Sequence, residues 1–324
     1  MPAAGAAGGV YAAAPRPDRP RYGRALLLFV LTFLTTTTLG PVMVQLCRTD
    51  MTALSEPWLS PSVVARVWSS PELLWMGFAF SVPALLILFA HEMGHYVACR
   101  LYGLPCTLPY FLPVPLNFGT FGAFIRIKSP IRTKQELFDV GIAGPIAGFV
   151  ALIPFLLWGI AHSEPARLLL AAPGADDALT PALYLPGRCL AIVLATWLFH
   201  GRLEPGTILN LHPVALAAWL GLLATSINLL PLGQLDGGHV LYAATGRLQR
   251  RLALPLWIAL GLMGFLWLGW LVWCVIILVI GLYHPPVWDE TTSLDPLRRK
   301  LAWIALILLI LSFMPAPLAI VPVR

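Results

Sequence analysis

Charged residues are scarce in this sequence. Asp, Glu, Lys and Arg make up 11% of the 324 residues, whereas a soluble domain carries about a quarter. Hydrophobic residues account for 58% of the chain, and the mean hydropathy is +0.80. This composition argues against a soluble domain and predicts a polytopic membrane protein embedded in the lipid bilayer.

Acidic residues and paired cysteines are also few. The chain has 15 acidic and 21 basic residues, which gives a net charge of +6. The basic residues cluster beside apolar segments, where they indicate membrane topology, so we assign no nucleic-acid partner. The cysteines are scattered without a CxxC pair, which indicates buried thiols and no disulfide framework. They are Cys47, Cys99, Cys106, Cys189 and Cys274.

Apolar segments divide the chain into four parts. Residues 1–24, rich in Ala, Gly and Pro, predict a disordered cytoplasmic tail. Residues 25–71 are predicted to hold the first transmembrane helix and an external loop. Residues 72–245 form the predicted transmembrane core, and residues 246–324 the C-terminal transmembrane helices. The arginines that precede the first span predict a cytoplasmic amino terminus.

The predicted fold is an all-α polytopic membrane protein. We expect six to seven transmembrane helices and a short membrane-associated β-hairpin or re-entrant segment. Residues 188–200 are apolar but too few to cross a bilayer, so we expect them to be interfacial or re-entrant. After the spans that start near residue 25 and near Leu73, further spans are expected at about 138–160, at 211–231, at 252–283 as two short helices that break near Gly269, and at 301–318.

Residues 104–134 contain too many prolines and glycines for a continuous helix. Within them, residues 121–128 alternate loosely between apolar and other residues and end in cations, which predicts a short strand or hairpin. Irregular backbone at membrane depth is tolerated only against protein or a water-filled cavity. We therefore expect this segment either to lie against protein or to line such a cavity.

The motif HEMGH places His91, Glu92 and His95 inside the second apolar run. On the expected inward path, His91 lies about 27 Å along the helix from Leu73, submerged but close to the cytoplasmic face. Histidines four residues apart share a helix face and can bind one metal ion, while Glu92 can take a proton from a water that the metal activates. Ionisable residues in a membrane span are costly, so the motif predicts a functional site with one Zn²⁺ per chain.

A catalytic zinc site needs a third protein ligand. Asp236, in PLGQLDGGH, is the only acidic residue between Glu204 and Asp289, and the predicted topology brings it to the level of HEMGH. Asp followed by two glycines is also ordinary turn chemistry. We favour the interpretation that Asp236 is a ligand.

These motifs carry a resemblance to a known family. HEMGH on an early span and NLLPLGQLDGGH in a later one, with FGTFGAFIRIKSPI and GIAGPIAGF between them, resemble the site-2 protease family of intramembrane zinc metalloproteases, particularly its bacterial and chloroplast branch. The resemblance covers about residues 72–245, and no inserted PDZ domain is evident. It implies that His91, His95 and Asp236 are zinc ligands and that Glu92 is the catalytic base.

The resemblance also implies roles for other residues. Asn228 would lie near the site and steady the substrate or oxyanion, or else only cap or pack. Residues 118–130 would form a hairpin that pairs with the unwinding substrate, or else a loop that only plugs the cavity. From the residues themselves we expect Gly144 and Gly148 to serve helix packing. His239 is a candidate partner of a zinc ligand. The histidines expected to be interfacial are His162, His200, His212 and His284.

We therefore predict an intramembrane zinc metalloprotease that cleaves transmembrane protein substrates. Regulated intramembrane proteolysis and clearance of signal-peptide remnants are both plausible roles. The first span and the resemblance favour a bacterial inner membrane, with the active site near the cytoplasmic face. A metal transporter and a noncatalytic chaperone of the same fold are the alternatives. The substrate, the cleavage position and a homo-oligomeric state stay open.

Overall fold

A computed structural model describes residues 22–49, 60–116, 118–168 and 182–322. These residues are mainly helical, and their strands form three antiparallel pairs: Tyr110–Pro113 with Thr120–Phe124, Glu164–Arg167 with Thr207–Asn210, and Ala182–Pro186 with Leu318–Pro322. The helices are α1 Tyr22–Leu46, α2 Pro61–Ser69, α3 Pro71–Leu101, α4 Lys134–Ala161, α5 Leu190–His200, α6 Pro213–Asn228, α7 Asp236–Thr245, α8 Arg247–Leu262, α9 Gly269–Ile280 and α10 Pro296–Ser312. The strands are β1 Tyr110–Pro113, β2 Thr120–Phe124, β3 Glu164–Arg167, β4 Ala182–Pro186, β5 Thr207–Asn210 and β6 Leu318–Pro322.

Three helices in the described part of the chain, α1, α3 and α4, are long and apolar enough to cross a bilayer. They contain 25, 31 and 28 residues. Helices α5, α6 and α9 are apolar but contain only 11, 16 and 12 residues. The predicted long helices near residue 25, from Leu73 and at 138–160 are therefore confirmed, whereas the full set of six to seven spans is not.

The span predicted at 211–231 ends earlier than expected. Helix α6 stops at Asn228, because Pro231 cannot continue a helix and Gly233 adopts a positive φ of 53°. Asp236 consequently begins a new helix, α7, instead of lying late in α6. The turn between the two helices brings Asn228 and Asp236 to the same end of the fold.

The C-terminal region follows the prediction in part. The expected break in 252–283 lies between α8, which begins at Arg247, and α9, which begins at Gly269. The last helix, α10, covers Pro296–Ser312, and its predicted extension to residue 318 is wrong. Pro315 and Pro317 end the helix, and β6 then pairs with β4. This pairing joins residues far apart in sequence, which the local pattern does not reveal.

The amino-terminal prediction is tested only at its end. Residues 22–24, expected to belong to a disordered tail, form the first turn of α1. The rest of the predicted tail lies outside the described residues. The external loop predicted before α3 contains the nine-residue helix α2, which Ser60 caps through a hydrogen bond from the Val63 amide.

A β-hairpin does form, but it starts earlier than predicted. Strand β1 pairs with β2, with Tyr110 opposite Phe124 and Phe111 opposite Ala123. The predicted region 118–130 therefore contains only the second strand. Beyond β2, Ile127 forms an isolated bridge with Cys106.

The turn of this hairpin is anchored in the helical core. The Thr35 hydroxyl on α1 donates a hydrogen bond to the Gly119 carbonyl at 2.7 Å. The Phe118 ring packs against Phe80 of α3 and Trp219 of α6, with centroid distances of 6.2 and 5.4 Å. Helices α1, α3 and α6 together therefore hold the hairpin in place.

Helix α3 lies at the centre of the fold and packs against α1, α4 and α6. Its contact surface includes the fully buried Phe80, and the main hydrophobic core adds Leu152, Leu216, Trp219 and Leu222 from the helices around it. Because α3 is surrounded on several sides, polar side chains on its second half can face protein instead of lipid.

Candidate metal centre

Two histidines on α3 face each other one helical turn apart. His91 and His95 are 6% and 7% exposed, and their Nε2 atoms are 3.1 Å apart. Residues at positions i and i+4 share one face of a helix, so the spacing of the motif produces this arrangement directly. The expected pair of imidazoles directed at one point is present.

Asp236 joins the pair from the first residue of α7. Its Oδ2 atom lies 3.2 Å from His91 Nε2 and 3.3 Å from His95 Nε2. In the described residues, these three side chains form the one group of His, Cys, Asp and Glu that could hold a metal ion. The turn at residues 229–235 therefore supplies the third member of the site.

The spacing of the three atoms fits zinc. A tetrahedral site with metal–ligand distances of about 2.0–2.1 Å has about 3.3 Å between its ligand atoms. The observed edges of the triangle are 3.1, 3.2 and 3.3 Å. Two imidazole nitrogens and one carboxylate oxygen are also a donor set that catalytic zinc accepts, with one coordination position left open.

A backbone carbonyl on α4 orients His95. The Nδ1 atom lies 2.7 Å from the Val140 carbonyl oxygen, which can only accept a hydrogen bond. Nδ1 must therefore carry the proton and donate it, and the Nε2 lone pair is left facing His91 and Asp236. No sequence signal marks Val140 for this role, because every residue has a carbonyl group.

Glycines on α4 leave room for the imidazole rings. A Cβ atom at Gly144 would overlap the His95 ring, and one at Gly148 would lie 3.0 Å from His91 Cβ. The predicted close packing of helices at these two glycines is present. The side chains packed against them are His95 and His91 on α3, which are two of the three candidate ligands. A larger residue at either position would push into a candidate ligand.

Glycines also surround Asp236. A Cβ at Gly237 would overlap the carbonyl of Leu229, and one at Gly238 would overlap the carbonyl of Gly233. The start of α7 can therefore lie directly on the preceding turn, which brings Asp236 within reach of α3.

Glu92 lies beside the triangle and is not part of it. The side chain is 6% exposed, and the backbone amide of Ile125, directly after β2, lies close to its carboxylate. A buried carboxylate next to the open side of a metal site can accept a proton from a bound water. The hairpin therefore meets the site at the residue predicted to be the base.

Asn228 lies next to the triangle, as the resemblance implies. It is the last residue of α6, and its Nδ2 atom is 3.2 Å from His91 Nε2. The amide can donate hydrogen bonds to a group at the open side of the site. Its position agrees with contact to a substrate or oxyanion as well as with packing against His91.

His239 bonds to another histidine instead of to a ligand. Its Nδ1 atom lies 2.8 Å from Nε2 of His284, which is 3% exposed. His284 is therefore buried in the protein and paired with a second histidine, while its expected place at the membrane interface stays a prediction. The sequence could not reveal this pair, because the two residues are far apart along the chain and the local pattern around either one does not indicate the other.

Comparison with known proteins identifies the family. The model of peptidase family M50 matches residues 79–268, which include all the residues of the triangle and Glu92. The chain belongs to peptidase family M50, the site-2 protease family.

Curated relatives carry zinc metalloprotease names. The chain is 34% identical over 196 residues to "Probable zinc metalloprotease EGY2, chloroplastic" of Oryza sativa subsp. indica. This alignment covers 60% of this chain and 33% of that protein. It is 29% identical over 322 aligned positions to "Probable zinc metalloprotease EGY1, chloroplastic" of Arabidopsis thaliana, covering 91% of this chain and 53% of that protein. A shorter match, 30% identical over 135 residues, is to "DDT domain-containing protein PTM" of Arabidopsis thaliana, covering 41% of this chain and 7% of that protein.

This chain spans between a third and about half of the length of the two zinc metalloprotease relatives. Both are named as chloroplast proteins, which does not support the expected bacterial inner membrane. Membership of this peptidase family, helices long and apolar enough to cross a bilayer, and the His91–His95–Asp236 triangle are the findings from which a function can be proposed.

Proposed function

We propose that this chain is a zinc-dependent endopeptidase that hydrolyses peptide bonds in or beside transmembrane segments of other membrane proteins. The observation that carries the proposal is the triangle of His91, His95 and Asp236 with Glu92 beside it. The two histidines and the glutamate are buried on the long apolar helix α3. Such costly polar groups at membrane depth are retained for function. The class of zinc endopeptidase also agrees with the names of the relatives.

One Zn²⁺ per chain would be held by His91, His95 and Asp236. When bound, zinc supplies a Lewis acid that makes water more acidic and polarises a carbonyl oxygen. Glu92 accepts the proton of the attacking water and returns it to the amine nitrogen that leaves. The Val140 carbonyl keeps His95 in the tautomer that presents Nε2 to the site.

The substrate must be extended before its peptide bonds can be reached. A transmembrane helix hides its amides in internal hydrogen bonds, so unwinding needs replacement partners. Strand β1 packs against α1, and the second edge of β2 is the one that faces away from β1. Ile125 follows directly after β2, and its amide lies close to Glu92. A substrate strand added to the β2 edge would therefore run past the catalytic carboxylate.

Asn228 is assigned to the substrate in this proposal. Its amide lies next to His91 at the end of α6, where it can donate to the scissile carbonyl as negative charge develops on the oxygen. In this role the Asn228 amide is a hydrogen-bond donor from the protein that helps to stabilise the negative charge on the carbonyl oxygen at the open side of the site.

We also propose that the active site lies near the cytoplasmic face, with the amino terminus on the same side. The residues that follow His95 lead to Arg100 at the end of α3, and Arg298 at the start of α10 lies beside Tyr102, donating to its hydroxyl at 3.0 Å. Basic residues therefore gather at the end of the bundle nearest the site, as the positive-inside rule expects of a cytoplasmic face.

The test is a Glu92→Gln substitution, with Glu72→Gln as the matched control. Glu72 is an exposed glutamate in the first turn of the same helix. Each variant of the full chain is purified in detergent, its zinc content is measured, and it is reconstituted with a panel of tagged single-span membrane proteins.

Glu92→Gln should retain zinc and lose at least about 100-fold in cleavage rate, the usual contribution of a general base. Glu72→Gln should behave like the wild type in both measurements. Cleavage by Glu92→Gln at the wild-type rate would refute Glu92 as the base and, with it, the proposed mechanism at this metal centre. Zinc binding without cleavage of any panel member by the wild type would favour the transporter or the noncatalytic chaperone.

A further inference from the structure

A segment after α9 lies against the chain on both sides of Asp236. We call residues 280–290 the strap. Before Asp236, the Gly233 amide donates to the Leu282 carbonyl at 3.1 Å, and Gln234 Nε2 donates to the Ile280 carbonyl at 2.7 Å. The strap therefore binds the turn that precedes the candidate ligand.

After Asp236, the strap binds α7 through side chains. His239 Nδ1 lies 2.8 Å from His284 Nε2, and the Tyr242 hydroxyl donates to Glu290 Oε1 at 2.7 Å. The Tyr242 ring also stacks on the His284 ring, with centroids 4.4 Å apart and an interplanar angle of 20°. His239 and Tyr242 are three residues apart and so share one side of α7.

The directions of the histidine hydrogen bonds follow from a single carbonyl. His284 Nδ1 lies 2.6 Å from the Pro285 carbonyl oxygen, which can only accept. In the neutral form that burial favours, His284 therefore donates from Nδ1 and accepts at Nε2. His239 in turn donates from Nδ1, and its Nε2 atom is left as an acceptor.

His284 is enclosed on its other sides. Its backbone amide donates to Gln249 Oε1 at 3.4 Å, and Gln249 on α8 is 0% exposed. The backbone of the strap, the Tyr242 ring and α8 thus hold the His284 imidazole in one position.

Helix α7 depends on such external contacts. It has ten residues, two of the first three are glycines, and no side chain caps its amino terminus. Short helices with interior glycines are marginal on their own, so tertiary contacts must set their orientation. Asp236 is the first residue of α7, and any rotation or shift of the helix would move its carboxylate relative to His91 and His95.

We propose that His284 is a positioning residue of the metal centre, which acts through His239 to hold α7 so that the Asp236 carboxylate completes the ligand triangle. This inference rests on the proposed metal site. His284 lies outside the residues that the family model matches, so the family assignment does not include it. If His284 only stabilised the fold, the hydrogen-bonding character of its Nε2 atom would not matter. Positioning through His239 requires a hydrogen-bond acceptor at the place of His284 Nε2.

The experiment measures metal affinity of the full chain in detergent, by competition with a chelator for Zn²⁺ and by the visible absorption spectrum of bound Co²⁺. His284→Leu removes the acceptor, whereas His284→Gln offers an amide oxygen in about the place of Nε2. Tyr242→Phe is the matched control, because it removes another strap hydrogen bond but leaves the ring that stacks on His284.

His284→Leu should weaken zinc binding about 10- to 100-fold and alter the Co²⁺ spectrum, the range seen when partners of zinc ligands are removed. His284→Gln and Tyr242→Phe should stay within about 3-fold of the wild type. Adding His284→Leu to a His239→Leu chain should have no further effect, because His284 acts through His239. If the single variants differ in stability, the proposal is tested by comparing the zinc affinity of the double variant with that of the His239→Leu chain.

Three results would overturn the proposal: wild-type affinity and spectrum in His284→Leu, equal losses in Tyr242→Phe and His284→Leu, or additive losses in the double variant. A failure of the metal site itself gives a different result, since His91→Ala would then bind zinc as tightly as the wild type. Comparing His91→Ala and His284→Leu in the same titration separates the two failures.

Discussion

Gly144 offers a sharp test of how closely α4 must approach the metal centre. Replacing a glycine in a helix interior by alanine usually stabilises the helix by about 0.5–1 kcal/mol. At Gly144 the added methyl group would overlap the His95 ring, in contact with Nε2 and the carbons on either side of it. Either the ring or the whole helix must therefore move.

The size of the movement sets the expected loss. Carbon and nitrogen atoms in contact need about 3.5 Å, so the His95 ring must shift by more than about 1 Å. Zinc ligands tolerate only about 0.2 Å, and the triangle edges of 3.1–3.3 Å would no longer fit a tetrahedral site. We expect Gly144→Ala to weaken zinc binding by at least about 100-fold, with overpacking lowering the free energy of unfolding by about 1–3 kcal/mol.

Two other glycines make a graded series. A Cβ at Gly148 would lie 3.0 Å from His91 Cβ and 3.2 Å from His91 Nδ1, so Gly148→Ala needs a shift of a few tenths of an ångström. We expect a loss below about 10-fold in zinc affinity there, in line with a small displacement. A methyl group at Gly23 on α1 would lie more than 4 Å from every atom beyond the adjoining residues and turns of its own helix, so Gly23→Ala is the control.

The assay is a zinc titration of each purified variant, together with its thermal unfolding without metal. We expect the order Gly23, Gly148, Gly144 for increasing loss of affinity. Wild-type zinc affinity in a folded Gly144→Ala chain would refute the claim that α4 and the ligands are in tight contact. Equal losses at Gly23 and Gly144 would show a general effect of alanine on these helices.

Two more predictions concern contacts outside the metal centre. Arg298→Ala removes hydrogen bonds of 2.8 and 2.6 Å to the Asp139 carboxylate, and it should lower the free energy of unfolding in detergent by about 1–3 kcal/mol. Arg299 is exposed, so Arg299→Ala should change the free energy of unfolding by less than about 0.5 kcal/mol. Equal effects of the two substitutions would contradict the role of the Arg298–Asp139 ion pair. Thr35→Val removes the hydroxyl that donates to the Gly119 carbonyl, a bond of about 1 kcal/mol. Hydrogen exchange should therefore become about 5-fold faster in the hairpin but not in α4, and unchanged exchange would show that Phe118 alone anchors the turn.

Much of the site could be predicted from the sequence because its elements are local. The spacing of His91 and His95 on a helix needs only the helical period, and Glu92 follows from its neighbour. Asp236 was within reach because acidic residues are so scarce in the apolar part of the chain that few alternatives existed. Long apolar runs likewise predicted α1, α3 and α4, since a bilayer sets their length.

Features that depend on distant partners could not be read in the same way. The first hairpin strand was missed because Tyr110–Pro113 is short and contains a proline, and its pairing with β2 is what defines it. The helix predicted at 211–231 was too long for two reasons: Pro231 is a local stop signal inside the predicted span, and the turn at Gly233 after it is where α7 packs on the residues before it.

The sequence by itself therefore determined the chemical groups of the centre and the helix that carries two of its candidate ligands. Only the tertiary structure decided how Asp236 comes close to them, through a turn after α6 and glycines that let backbones touch; the role of His284 in holding it there is our proposal. The physical reason is that helical periodicity acts over a few residues. The position of a carboxylate to within a few tenths of an ångström depends on contacts between segments that are distant along the chain.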